Sequence, residues 1–189
     1  MKVRESGMPD ETMWDGFFDP SSALSLLGLT PEASSAVDLG CGYGTFTIPA
    51  ARIISGMVHG FDIEPEMIAA TGVKSESAGL TNVRLHLRDF MVEGTGLPDA
   101  GAGYVMLFNI LHADDPVRLL REAHRILVPG GTAAVMHWVS DRPTPRGPSL
   151  EVRPTPADCQ KWLAAAGFAV EGGIVDLSPY HFGLVGRKG

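Results

Sequence analysis

Short apolar, β-rich runs alternate along this chain with longer stretches whose apolar positions recur at three- and four-residue intervals. That alternation predicts strand-helix-strand units on a parallel sheet. The strand candidates are Ala36–Leu39, Met57–Phe61, Val83–Leu87, Tyr104–Asn109 and Thr132–Val139, followed by Ala169–Leu177 and His181–Gly186. In "DDPVRLLREAHRIL", Asp115 reads as an N-cap and Pro116 as the first helical residue, where a missing N–H costs nothing. Pro116, Leu119, Leu120, Ala123, Ile126 and Leu127 then share one face, and "VPGG" stops the helix. In "TPADCQKWLAAAGF", Thr155 caps, Pro156 opens, Asp158 lies three residues after the cap and Gly167 terminates. Its apolar stripe makes Cys159 a small core residue.

Two segments break the alternation. Residues 141–155, "DRPTPRGPSLEVRPT", carry prolines at 143, 145, 148 and 154 and predict an ordered, irregular loop. It leaves the carboxyl end of a parallel strand, where open α/β sheets bind ligands. It therefore either borders a site or is a surface excursion. Near the start, Trp14, Phe17 and Phe18 fall at helical spacing beside Met13. They predict an amphipathic helix docked on the sheet, or a lid that excludes water from a site.

The 189 residues fit one domain: a segment 1–33, a core 34–140, the loop 141–155 and a helix with a strand pair over 156–189. A hydrophobic content of 44% with 20% charged residues is that of an ordinary globular chain. No apolar run approaches a membrane span, and the N-terminus lacks a basic-then-apolar leader. Two cysteines supply no disulfide framework, so a reducing cytoplasm is expected. The net charge of −7 disfavours a nucleic-acid partner. His, Cys, Asp and Glu do not cluster at metal-ligand spacing, so no metal is expected.

The chemistry concentrates in "VDLGCGYG", residues 37–44. A strand ends in Asp38, three glycines follow at every second position, and a helix begins. Such a turn presents main-chain N–H groups and a helix N-terminus to a ligand. The spacing misses both the G-x-G-x-x-G of dinucleotide sites and the phosphate loop G-x-x-x-x-G-K-[ST]. Asp38 would repel a pyrophosphate and suit an ammonium or sulfonium group. Asp62, just past the second strand, can accept both hydroxyls of a ribose, while Glu64 beside it reads as a helix cap. The pattern asks for a ligand with a ribose and a positive charge but no phosphate.

On these residues the chain resembles the class I S-adenosylmethionine-dependent methyltransferases of the small-molecule, type 11/25-like kind. "VDLGCGYG" is similar to their first motif and "GFDIEPEMI" to their second. "LRDF" resembles their adenine segment, and "NILHADDPVRLLREAHRILVPGG" their fourth-strand motif, helix and turn. The resemblance implies a three-layer, doubly wound α/β fold, Rossmann-like, with about seven strands, mostly parallel, the last antiparallel. It implies S-adenosyl-L-methionine as cofactor and S-adenosyl-L-homocysteine as product. By position, Gly40 and Gly42 would approach the methionine portion and Asp38 help hold its amino group. Asp62 would bind the ribose and Ile63 face the adenine. Asp89 would accept from the adenine amino group, and Phe90 would give a backbone donor or an apolar wall. Asn109 would sit near the methionine carboxylate and the methyl group. His112 is the candidate base, and His137, late in a buried strand, reads first as a core residue. Tyr43 either lines the pocket or packs. The motifs of DNA-base and arsenite methylation are missing, which leaves a small organic acceptor, anionic if Arg142, Arg146 and Arg153 face inward. The alternative is a non-catalytic, cofactor-binding or regulatory module on the same fold.

Overall fold

The computed structural model describes residues 10–189. Seven strands form one sheet in the order β3-β2-β1-β4-β5-β7-β6. They are β1 (Ser35–Leu39), β2 (Met57–Asp62), β3 (Val83–Leu87), β4 (Ala102–Phe108), β5 (Leu127–Trp138), β6 (Phe168–Leu177) and β7 (His181–Lys188). β1 to β5 pair in parallel, while β7 runs antiparallel to both β5 and β6. The expected doubly wound sheet is therefore present. Its strand order reverses between β1 and β4, the switch point at which such sheets bind ligands.

The helices are α1 (Glu11–Asp15), α2 (Pro20–Leu26), α3 (Thr47–Ile53), α4 (Pro65–Ser77), α5 (Phe90–Glu93), α6 (Pro116–Ile126) and α7 (Pro156–Ala165). Alternation along the strands splits the core in two. Val37, Leu39, Phe61, Val105 and Val135 pack with the stripes of α6 and α7. Ala36, Val58, Tyr104, Met106 and Met136 pack with α2 and α3. Asp115 and Thr155 cap as expected, the latter in a full capping box with Asp158. Cys159 is buried on the α7 stripe, and burial pushes its thiol up to about 12, as befits a core residue.

Three expectations are revised. Helix α6 ends at Ile126, and "LVPGG" is the start of β5 rather than a turn. Leu127 pairs with Ala102 before a register shift, which lets the strand absorb the glycines. The N-terminal aromatics do not share a helix. α1 stops at Gly16, Asp19 caps α2, and Phe17 and Phe18 lie in the link between them. Residues 1–9 of that segment lie outside the described residues. Glu64 holds the N-cap position of α4, but its side chain makes no cap bond. Among the described residues no helix is long and apolar enough to cross a membrane.

Candidate functional site

The glycine loop closes the carboxyl end of β1, and its main chain is bonded to the end of β2. Gly40 and Cys41 both donate to the Phe61 carbonyl at 2.9 Å, and the Gly42 N–H donates to Asp62 Oδ2 at 2.9 Å. The other Asp62 oxygen accepts from Glu64 N–H at 3.0 Å. Asp62 is thus aimed at the loop by two backbone donors, with acceptor capacity left over, since a carboxylate takes about four bonds. Gly40 has φ +85° and sits against Ile110, while Gly44 has φ +77° and a Cβ there would lie 2.8 Å from Thr71 Cγ2. Both therefore require glycine for conformation, and Gly44 for space as well.

Asp38 lies beneath this loop, 3% exposed. Its position on β1 turns it toward α3, where Thr47 Oγ1 donates to it at 2.6 Å. Burial, with Asp62 nearby, raises its carboxyl to about 7 against opposing bonds from the Thr47 hydroxyl and main chain. Burial likewise raises Asp62. Among the described residues no lysine or arginine pairs with either. Two buried carboxylates without a counter-charge make a site that a cation would relieve.

The remaining predicted residues line the neighbouring strand ends. Ile63, next to Asp62, is 40% exposed, an apolar side chain left open at the lip of β2. Asp89 caps α5, accepting from Met91 and Val92 N–H. The Phe90 N–H donates to the Arg88 carbonyl at 3.1 Å. Its ring meets Phe61 edge-on and lines a groove of about 280 Å³ against Arg118, Leu119 and Arg121 of α6. Asn109 ends β4 at φ +58°, its N–H bonded to the Met136 carbonyl. Its Oδ1 is buried with no partner among the described residues.

The structure joins the two histidines that the sequence treated separately. His112 Nδ1 lies 3.3 Å from His137 Nε2, and His137 Nδ1 lies 3.3 Å from the Trp138 carbonyl. A carbonyl accepts only, so His137 carries its proton on Nδ1 and offers Nε2 to the Nδ1–H of His112. His137 is fully buried, and burial followed by the charge of His112 drives it down to about 3.

Sequence reasoning missed the braces. Thr47 anchors Asp38, and Thr71 Oγ1, from α4, donates to the Gly42 carbonyl at 2.8 Å. A threonine 29 residues downstream carries no linear signal of that bond. The lysine of α4 lies over the Tyr43 ring, Nζ 5.8 Å from its centroid, so Tyr43 at least packs. The N-terminal segment lies over the loop: Thr45 Oγ1 donates to Asp15, and Glu11 pairs with Lys74. In the proline-rich loop, Arg153 is buried and donates to the carbonyls of Pro148, Val139 and Arg146. It staples the loop to β5 and is committed to neutral partners.

Comparison with known proteins bears on this geometry. Residues 36–131 match a family model described as a methyltransferase domain. An uncharacterized 37.1 kDa transposon protein of Streptomyces fradiae is 32% identical over 161 residues, 80% of this chain and 46% of that protein. The aklanonic acid methyltransferase DauC of Streptomyces sp. (strain C5) is 35% identical over 101 residues, 52% of this chain and 45% of that protein. The chain spans less than half the length of these curated relatives. A SAM dependent methyltransferase from Aquifex aeolicus superposes with TM-score 0.82 at 24% identity, covering 94% of this chain and 93% of that one. The [4+2]-cyclase SpnF superposes with TM-score 0.77 at 18% identity, covering 97% and 84%. Both likenesses speak to the fold alone, and the second warns that this fold does not by itself fix a reaction.

Proposed function

The chain belongs to the S-adenosylmethionine-dependent methyltransferases, class I, of the type 11/25 family, and from that premise we propose that it transfers a methyl group to a small-molecule acceptor by in-line displacement. The observation that carries this reading is the pair of buried carboxylates, Asp38 and Asp62, set around a bare glycine turn with no lysine or arginine paired to them among the described residues. Such a site favours a cationic nucleoside over a pyrophosphate dinucleotide. The orphaned Asn109 Oδ1 and the open Ile63 side chain fit the same ligand, one as an acceptor for an ammonium hydrogen, the other as a face for a base.

In this reading Asp62 holds the ribose hydroxyls while keeping Gly42 in place, and Gly40 and Gly42 border the methionine portion. Asp38 works from below the loop, by charge, on the amino group. Ile63, Asp89 and the main chain at Phe90 surround the adenine. Asn109 borders the methionine carboxylate and the reacting side. S-Adenosylmethionine, when bound, supplies a methyl group already activated by a sulfonium charge. The protein's share is alignment, which contributes up to roughly 7–11 kcal/mol in favourable cases. His112, oriented by His137 through its Nδ1, is the group that takes an acceptor's proton in this reading. Residues 11–18, bound across the loop at Thr45 and Lys74, act as the lid.

A small-molecule acceptor is supported by the acidic surface balance and by a relative named for aklanonic acid methylation. An anionic acceptor has weaker support, because Arg153 is spent on carbonyls and Arg142 and Arg146 are exposed.

Thermal denaturation tests the proposal. At a hundredfold excess over Kd, S-adenosylmethionine should stabilise the fold by about 2.7 kcal/mol, while NAD should not. Release of S-adenosylhomocysteine with a panel of small acceptors should follow. No stabilisation at millimolar cofactor would refute the site, and tight binding without turnover on any acceptor would favour a regulatory module.

A further inference from the structure

A second concentration of chemistry lies beyond Asn109, where β5 ends and β7 begins. Trp138 and His181 are partners across that antiparallel pair, so both leave the same face of the sheet, with ring centroids 4.1 Å apart. The N-terminal segment closes over them. Phe18 lies 4.7 Å from the His181 ring, and Phe17 lies 5.3 Å from Trp138 and 5.8 Å from Tyr180. Phe18 also meets Phe46, and Phe46 meets Phe108, the residue before Asn109. One row of rings therefore runs from the glycine loop to the β5–β7 edge. Strands lie about 4.8 Å apart, so the step from β4 to β7 is about 10 Å, within the span of a two-ring molecule.

Inside this row sits a polar atom that no described residue partners. His181 is 3% exposed, and its Nε2 is buried with no hydrogen bond among the described residues. Buried polar groups are nearly always paired, and an orphan calls for an explanation.

We propose that this ring-lined corner is the acceptor subsite, taking a neutral, planar aromatic alcohol whose hydroxyl donates to His181 Nε2; the inference rests on the methyltransferase reading above. Flat aromatic walls select a planar apolar body, and one buried nitrogen selects one hydrogen-bonding group. An anion would have to draw Arg153 away from its carbonyls. Arg153, whose guanidinium carbon lies 5.8 Å from the centre of the Trp138 ring, is bonded to three carbonyls. His181 itself stays neutral, because burial drives it down to about 3. It therefore orients the alcohol and stores no proton. Entry requires only the N-terminal rings to shift. Phe17 and Phe18 lie outside any helix, in the link that follows the five-residue α1, and α1 is itself held by Asp15 on Thr45 and Glu11 on Lys74. Segments so tethered open most easily.

The test uses two probes of one shape, 2-naphthol and 2-methylnaphthalene. Their binding is measured by ligand-observed NMR on the full chain saturated with S-adenosylhomocysteine. The wild type should prefer the naphthol by about 2- to 10-fold, the range set by one neutral hydrogen bond. His181→Phe should bind both probes equally with unchanged S-adenosylhomocysteine affinity, and His181→Gln should restore part of the preference. Trp14, whose ring lies 4.8 Å from Phe18 and 6.4 Å from Trp138, walls the same corner, so Trp14→Ala should weaken both probes to the same extent. Equal wild-type affinities, a preference that survives in H181F, or probe binding indifferent to W14A would each overturn the proposal. Failure of the wild type to bind S-adenosylhomocysteine would instead strike the methyltransferase reading, and the probe ratio would still judge the subsite.

Discussion

Replacing Asp38 with asparagine tests the electrostatic premise of the site directly. Its carboxyl moves from the ordinary 3.8 to about 7, chiefly through burial. At about 1.4 kcal/mol per tenfold change, this is about 4 kcal/mol of selective preference for the protonated form. The folded-state value lies above the unfolded one, so the folded protein holds a proton that the unfolded chain has released. The group's stabilising contribution is therefore complete below about pH 4 and is lost as pH rises to about 7. Between pH 5 and pH 8 the wild type should lose about 3 kcal/mol from this source. D38N keeps an acceptor near Thr47 but cannot ionise, so urea denaturation of both proteins at the two pH values should show the gap shifting in the variant's favour by about that amount. A bound sulfonium or ammonium would favour the carboxylate and reverse the sign. Wild-type affinity for S-adenosylmethionine should tighten as pH rises through about 7, by at most tenfold per pH unit, and D38N should lose that slope. Parallel stability curves for the two proteins, or a flat wild-type affinity between pH 6 and pH 8, would refute the reasoning.

Asp62→Ala removes the acceptor of the Gly42 N–H together with the proposed ribose ligand. S-Adenosylmethionine should then give little or no thermal shift, and an unchanged shift would take Asp62 out of that role. Gly44→Ala places a Cβ 2.8 Å from Thr71 at φ +77°. It should cost roughly 1–3 kcal/mol in urea denaturation, by steric and backbone strain. Glu122 accepts from Arg125 and from Thr95, bonds that hold it near 2. Glu122→Gln should destabilise the fold by about 1 kcal/mol at neutral pH, a figure discounted for its partial solvent access. The wild-type contribution is present above about pH 4.5 and fades as pH falls toward 2, so the two proteins should converge in acid melts.

Some of this protein was readable along one dimension because its signals are local. All seven strands announced themselves by β-rich runs, α6 and α7 by stripe and cap, and the glycine loop by its acids and spacing. These depend on residues a few positions apart, where backbone propensity and side-chain period act directly. The ends of elements were less legible. Gly130 and Gly131 look like a stop but lie inside β5, because pairing with β4 absorbs them in a register shift. Gly16 splits the aromatic segment where spacing alone read one helix. What only tertiary structure decided are relations across strands and layers. Examples are Asp62 bracing Gly42, Thr71 reaching back to the loop, and His112 meeting His137 over 25 residues. Arg153 turned from an anion ligand into a loop staple, and His181 Nε2 was left without a partner among the described residues. The physical reason is that periodicity determines which face a side chain leaves from, whereas its partner and its burial depend on which strand the sheet places beside it.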